Sequence, residues 1–195
     1  MEKLLRNYEE EDVLNLEIDF ISEINLNNVT FKNCTFHGVF FDKASLSKVD
    51  FVECNFINCD LSNKEFEEAY FLKNTFNNCR MLGFSYLDGY LEKTKFKDCS
   101  FVYSNFSGSK LKEVIFDNCD LSSGSFISSN LKKCEFDECI FGKCEFNNTS
   151  LKGIDFSTSN LDGIVCDLFS IKGMIIDSYQ AHHLVNMLGV KIKEF

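Results

Sequence analysis

Residues 116–136 read FDNCDLSSGSFISSNLKKCEF. An apolar side chain stands at every fifth position: Phe116, Leu121, Phe126, Leu131 and Phe136. Two places before the last four stand the small residues Cys119, Gly124, Ser129 and Cys134. The other three positions of each unit are polar. Working outward, the same frame runs from Leu16 to Ile176, through 33 consecutive positions: seventeen Phe, ten Leu and three Ile, with Met81, Tyr86 and Cys166. In a chain that is 45% apolar, chance gives such a run with a probability on the order of 10⁻¹¹.

A period of five fits neither a helix nor a flat strand. It is a repeat signature. Two inward residues in every five suit a chain that turns a corner with each unit, and four units make a square coil of about 20 residues. Such coils stack through strand-like hydrogen bonds about 4.8 Å apart. One coil cannot bury a core alone, so several must stack and both ends need caps. Residues 16–176 give about eight coils and a rod about 38 Å long. Written in steps of twenty, Phe36, Phe56, Phe76, Phe96, Phe116, Phe136 and Phe156 form one inner column, with rings close enough to stack in offset geometry.

Three segments are expected: an N-terminal cap (1–15), the repeat rod (16–176) and a C-terminal capping helix with a dimerisation strand (177–195). Before the rod, Leu14, Leu16, Ile18 and Phe20 alternate with polar residues, a period-two pattern that predicts a strand over the open edge of the first coil. After it, Asp177 as N-cap with Gln180 three places on predicts a helix. Ala181, Leu184, Val185 and Leu188 give it one apolar face, and Gly189 ends it. The apolar surface left over at this end suits a two-fold homodimer, through Tyr179, Leu184, Met187, Leu188, Val190 and Ile192.

The net charge of −10 argues against binding nucleic acid directly and for solubility or a basic partner. No apolar run is long enough for a signal peptide or a membrane span, so a cytoplasmic protein is expected. Nine of the ten cysteines occupy the small inward slot, as Cys99 and Cys119 do. They read as reduced, buried filler, and without a CxxC pair they do not read as a metal site. There is no phosphate loop and no Ser–His–acid set, so neither an enzyme nor a cofactor is expected.

The units Cys-Asn-Phe-Ile-Asn (54–58), Cys-Asp-Leu-Ser-Ser (119–123) and Ser-Asn-Leu-Asp-Gly (159–163) resemble the pentapeptide-repeat family, usually written A(D/N)LXX. The resemblance implies a right-handed quadrilateral parallel β-helix, an all-β fold, here with a short C-terminal α-helix. Three stretches resemble the Qnr quinolone-resistance proteins: Ile176–Ala181 running on to Leu188-Gly189-Val190, like their dimerisation module; Cys79–Phe84, like their mid-rod Cys-Arg-x-x-Gly kink; and Asp120–Phe126. Typical plasmid-borne members carry two loops that interrupt the coils. This frame has none and is closer to the loop-less relatives.

The resemblance implies a partner, DNA gyrase or topoisomerase IV, bound by mimicry of duplex DNA. Duplex DNA carries one charge per about 1.7 Å. Two copies of −10 spread evenly along about 76 Å give one per about 4 Å, so mimicry needs segregated charge. The twenty-residue columns separate Lys112, Lys132, Lys152 and Lys172 from an acidic stripe of Asp98, Asp117, Glu135, Asp137, Glu138 and Asp155. Arg80, Gly83 and Phe84 mark an irregular coil where strain or a bend is expected. Two other functions fit such a rod: gyrase inhibition or immunity to a gyrase-directed toxin, and a general interaction scaffold.

Overall fold

The corner closing each five-residue unit decides the architecture. In a computed structural model describing residues 12–19, 24–42, 44–187, 189–191 and 193, 22 non-glycine residues have φ between 50° and 61°. Nearly all stand two places after an inward apolar residue. This left-handed conformation costs an ordinary side chain about 1–2 kcal/mol and is best tolerated by Asn and Asp. The corner amides offset it by donating to the next coil: Glu53 to the Leu72 carbonyl at 2.8 Å, Tyr103 to that of Ser122 at 3.0 Å.

Four corners per turn give four faces of two kinds. On two neighbouring faces the chain forms three-residue strands in parallel seven-stranded ladders. Their register places Phe51 on Phe71, Leu91 on Leu111 and Phe56 on Phe76. Outward residues there include Thr35, Val52, Tyr70 and Tyr90, which suit pleated surfaces. On the other two faces the amide three places after the inward residue bonds back to its carbonyl, as Ser104 does to Phe101 and Ser109 to Phe106. These are turns with a left-handed third residue. Their sequence cause is local: Asp60, Asn105 and Asp120 accept a bond from the amide two residues on, the Asx turn that competes with strand pairing. Seven strands make six coil-to-coil steps on the strand faces, and isolated bridges carry the same register on to Asp155–Ile175.

Inside, the Phe36-to-Phe156 column stacks with centroid spacings of 4.2–5.4 Å and interplanar angles of 5–24°. Rings on adjacent faces meet edge to face, as Phe51 and Phe56 do at 81°. The cysteines are more than filler. On the strand faces no turn bond reaches the inward residue's carbonyl, and a thiol from the next coil does. Cys59, Cys79, Cys99, Cys119 and Cys139 lie 3.4–3.6 Å from the carbonyls of Phe36, Phe56, Phe76, Phe96 and Phe116, and each shares its one proton between that carbonyl and the one two residues before the cysteine, at 3.2–3.4 Å. Asn74 donates to the Phe51 carbonyl and Ser159 to that of Phe136.

The coil of Arg80, Gly83 and Phe84 keeps ladder register, with Asp60, Arg80 and Ser100 bridged in turn. Its departure from the repeat is interior. Phe84 fills a small-residue slot, packed on Phe66, Tyr86, Phe101 and Phe106. One coil earlier the same slot holds Lys64, whose ammonium leaves the core to bond the Asp42 and Ala44 carbonyls at 2.7 and 3.0 Å. Gly89 makes room for Tyr86, since a Cβ there would lie 2.1 Å from its ring.

Both ends correct the unbroken frame. The first coil is two residues short: Ile18, not Leu16, pairs with Phe36, eighteen positions on. The expected single strand is two, Asp12–Leu14 and Glu17–Ile18, separated by left-handed Asn15; they do pair in parallel with the first full coil. Phe20 and Ile21 lie outside the described residues. At the other end the inner slot slips by one: Ser170 is buried and bonds the Phe146 carbonyl at 2.7 Å, while Phe169 is exposed.

Two stability outcomes follow. Cys99→Ala strands the Phe76 carbonyl and lowers stability by about 1–2 kcal/mol in urea unfolding, while Cys99→Ser loses less. Tyr103→Asn relaxes a left-handed corner and raises stability by about 1 kcal/mol; an unchanged midpoint would refute the corner argument.

Candidate protein-interaction surface

Outward side chains of a stacked coil inherit its register, so charge is arranged in columns. On the second strand face, the one centred on the Phe36 column, Asp117 pairs with Asp137 one coil on. Glu135, Asp137 and Asp155 share this face, and Asp98 and Glu138 occupy its far corner in one column twenty residues apart through Asn118. The expected stripe thus assembles, but it is not uniform. Lys95 reaches Asp117 at 2.8 Å and Lys97 reaches it at 3.8 Å. The Lys95 hydrogen bond holds the Asp117 carboxyl below its ordinary value, and Asp98 accepts a bond from Asn118 at 2.7 Å. Among the described residues, Glu135, Asp137, Glu138 and Asp155 have no ion pair. Glu135, Asp137 and Asp155 line a shallow recess that Gly153 and Thr158 complete. The sequence columns did not single out Lys95 and Lys97, although both are two steps or fewer from the same register.

The neighbouring strand face carries the basic column. Lys112 pairs with Lys132 in the ladder. Lys112 also bonds Glu92 at 2.6 Å, and that bond, with one from Tyr90, holds the Glu92 carboxyl low. Lys132, Lys152 and Lys172 are exposed.

The helix Ser178–Met187 closes the rod. Asp177 and Gln180 cap it reciprocally, at 2.8 and 2.9 Å, the expected box. The Gln180 amide also donates to the Phe156 and Ser159 carbonyls at 2.8 and 2.6 Å, filling the place held by cysteines in earlier coils. Left-handed Gly189 ends the helix, with the Val190 amide bonding back to Val185 at 3.3 Å, a Schellman-type closure. Of the expected interface residues, Tyr179 and Val190 are 66% and 53% exposed, but Leu184 is buried on its own rod and so offers no surface to a partner. Leu188 and Ile192 lie outside the described residues, as does the Met187 side chain. Val165, Leu168, Phe169 and Ile175 add exposed apolar surface near this end.

Among the described residues no helix is long and apolar enough to cross a membrane, and no group of three or more His, Cys, Asp or Glu side chains is disposed to hold a metal ion.

A family model described as a pentapeptide repeat region matches residues 49–126 and 91–166, and one described as pentapeptide repeats in eight copies matches residues 24–63. No curated protein sequence gives a significant match. Among solved structures, a trypsin-treated form of QnrB1, a plasmid-mediated fluoroquinolone resistance protein, is 18% identical, with all of both chains covered and a TM-score of 0.43. Full-length QnrB1 is 20% identical over 94% of this chain and 100% of its own, with a TM-score of 0.28. HetL, a pentapeptide repeat protein involved in heterocyst differentiation regulation from the cyanobacterium Nostoc, is 12% identical over 85% and 88%, with a TM-score of 0.32.

The paired carboxylates carry a pH signature. Glu92 and Asp117 have folded values below their ordinary 4.5 and 3.8, so their contribution is present above those values and is lost as pH falls through the depressed ones. Urea midpoints between pH 5 and pH 3 should fall less steeply in Lys112→Met than in the unmodified chain; identical slopes would remove the Glu92 pair from the account.

Proposed function

Since this chain belongs to the pentapeptide-repeat family, we propose that it is a non-enzymatic binding rod that docks on a cytoplasmic type II topoisomerase, DNA gyrase or topoisomerase IV, in place of duplex DNA and protects it from quinolones. One observation carries the reading: the unpaired cluster of Glu135, Asp137, Glu138 and Asp155. These four carboxylates occupy two neighbouring coils, about 10 Å of rod, or one charge per about 2.5 Å. Duplex DNA has one per about 1.7 Å. The even spread inferred from net charge falls well short of that density, and the local cluster approaches it.

The position of the cluster supports the same reading. It lies on the last coils before the capping helix, where exposed Tyr179 and Val190 offer an apolar surface for a second copy. A two-fold contact at that end brings two acidic clusters to either side of one junction, as a continuous anionic tract would be. The resemblance of residues 176–190 to the Qnr dimerisation module supports this contact on independent, sequence grounds.

The test is gyrase supercoiling with and without a fluoroquinolone. Rescue of supercoiling supports protection. Inhibition without rescue favours the inhibitor or immunity role, and absence of binding favours a scaffold with another partner. The double variant Glu135→Lys/Asp137→Lys should bind at least about tenfold more weakly at low salt and lose rescue. Undiminished binding would move the docking surface off this face.

A further inference from the structure

The stacking of the rod is interrupted at one level. Both seven-stranded ladders end at Asn130–Lys132 and Glu135–Asp137. One step earlier the Glu113 amide donates to the Lys132 carbonyl at 2.9 Å, and one step later the Leu151 amide donates to that of Ser170 at 3.0 Å. Between these steps, among the described residues, no backbone bond joins Leu131 or Ser129 to Ser150, or Lys133 to Lys152. The turn faces stay closed at this level, with Phe141 donating to Asn160 and Phe146 to Val165, both at 2.8 Å. The Phe136–Phe156 ring spacing of 5.4 Å is the widest of its column.

This seam opens on the face that carries the lysine column. From Leu26 to Leu161 every inward residue of the five-residue frame is buried except Leu131, which is half-buried. Beside it lies a recess of about 390 Å³ whose lining includes Lys132, Asn148, Ser150, Lys152 and Phe169, a volume within the roughly 300–1,000 Å³ of small-molecule sites. The missing bonds leave the Leu131 and Lys133 amides as donors on one lip and the Ser150 and Lys152 carbonyls as acceptors on the other, and such groups call for a partner. Charge here is one-sided. Lys132, Lys152 and Lys172 make no ion pair among the described residues. Beyond Glu113, which pairs with Lys133 at 3.7 Å, the outward positions of this face carry no carboxylate. Asp167 stands at its edge, its carboxylate taken up by the Asn148 and Ser170 amides at 2.6 and 2.8 Å. Glu135 and Asp155 lie round the corner on the second strand face. Phe169 is 64% exposed.

We propose that this recess binds a nucleoside phosphate. Lys132, Lys152 and the Leu131 and Lys133 amides take the phosphate through charge-assisted bonds. The base lies on Phe169, since every nucleobase has a face that stacks on an aromatic ring, and Leu131 gives the recess an apolar floor. The Ser150 and Lys152 carbonyls accept from the sugar hydroxyls. Lysines one coil apart repel, and a bound phosphate turns that repulsion into attraction. Inorganic phosphate leaves Phe169 and the carbonyls unused, and a bare nucleoside leaves the lysines unused; a nucleoside phosphate engages both sets. The site lies one face away from the acidic cluster and is independent of the topoisomerase reading.

Isothermal titration calorimetry of the full chain in magnesium-free buffer tests it, with ATP, inorganic phosphate and adenosine as separate titrants. The expected result is ATP binding with a Kd at or below about 1 mM, and at least about tenfold weaker binding of phosphate and of adenosine. Lys132→Met and Lys152→Met should each weaken ATP at least about tenfold, and Phe169→Ser should weaken ATP while leaving phosphate unchanged. All three side chains are exposed, so the variants keep the fold, which their urea midpoints check. The proposal is overturned if ATP does not bind, if its binding ignores Lys132→Met and Lys152→Met, or if phosphate binds as tightly as ATP and Phe169→Ser changes neither, which is the behaviour of a plain anion patch.

Discussion

The left-handed corner governs this molecule. A chain that must adopt positive φ every fifth residue cannot run as a strand or wind as a helix. It closes a square, and the square stacks because each corner's amide finds its acceptor only in the next coil. The corners stabilise nothing by themselves. They cost conformational energy at positions occupied by Lys, Glu and even Tyr103, and only the ladder above offsets it. The rod therefore has no stable fragment of one coil, which is the thermodynamic meaning of a repeat protein.

From that constraint follows the division of labour among the faces. Where the chain turns, as after Asp60 and Asn105, the amide three places on consumes the inward carbonyl. Where the backbone stays extended, as in Thr75–Asn77 and Lys95–Lys97, that carbonyl needs another donor. The cysteine column answers this need. Burial pushes the Cys134 thiol up to about 11, so this donor to the Leu111 carbonyl keeps its proton at neutral pH. The extended faces also carry the lysine–carboxylate pairs of Glu92 and Asp117.

Much of this was legible in the residues alone. The phenylalanine columns, the capping pair of Asp177 and Gln180 and the stop at Gly189 all rest on local chemistry. What was not legible depends on neighbours one coil away. Leu16 and Ile18 are both apolar, and only pairing to Phe36 tells which lies inside. Cysteine reads as small and apolar until the bare carbonyl beneath it is seen. Asp117 reads as one more acid until Lys95, 22 residues earlier in sequence, lies 2.8 Å from it. Leu184 reads as surplus apolar surface until the helix is seated on the last coil.

The quadrilateral cross-section carries an evolutionary corollary. Because each unit advances the chain by one side of a square, an insertion or deletion of one unit rotates everything beyond it by a quarter turn. Four units restore the original bearing and merely lengthen the rod. The azimuth between the C-terminal helix and any patch nearer the N-terminus is thus quantised, and descendants of this gene can re-aim one functional end against the other by whole codon pentads without remodelling a single contact type.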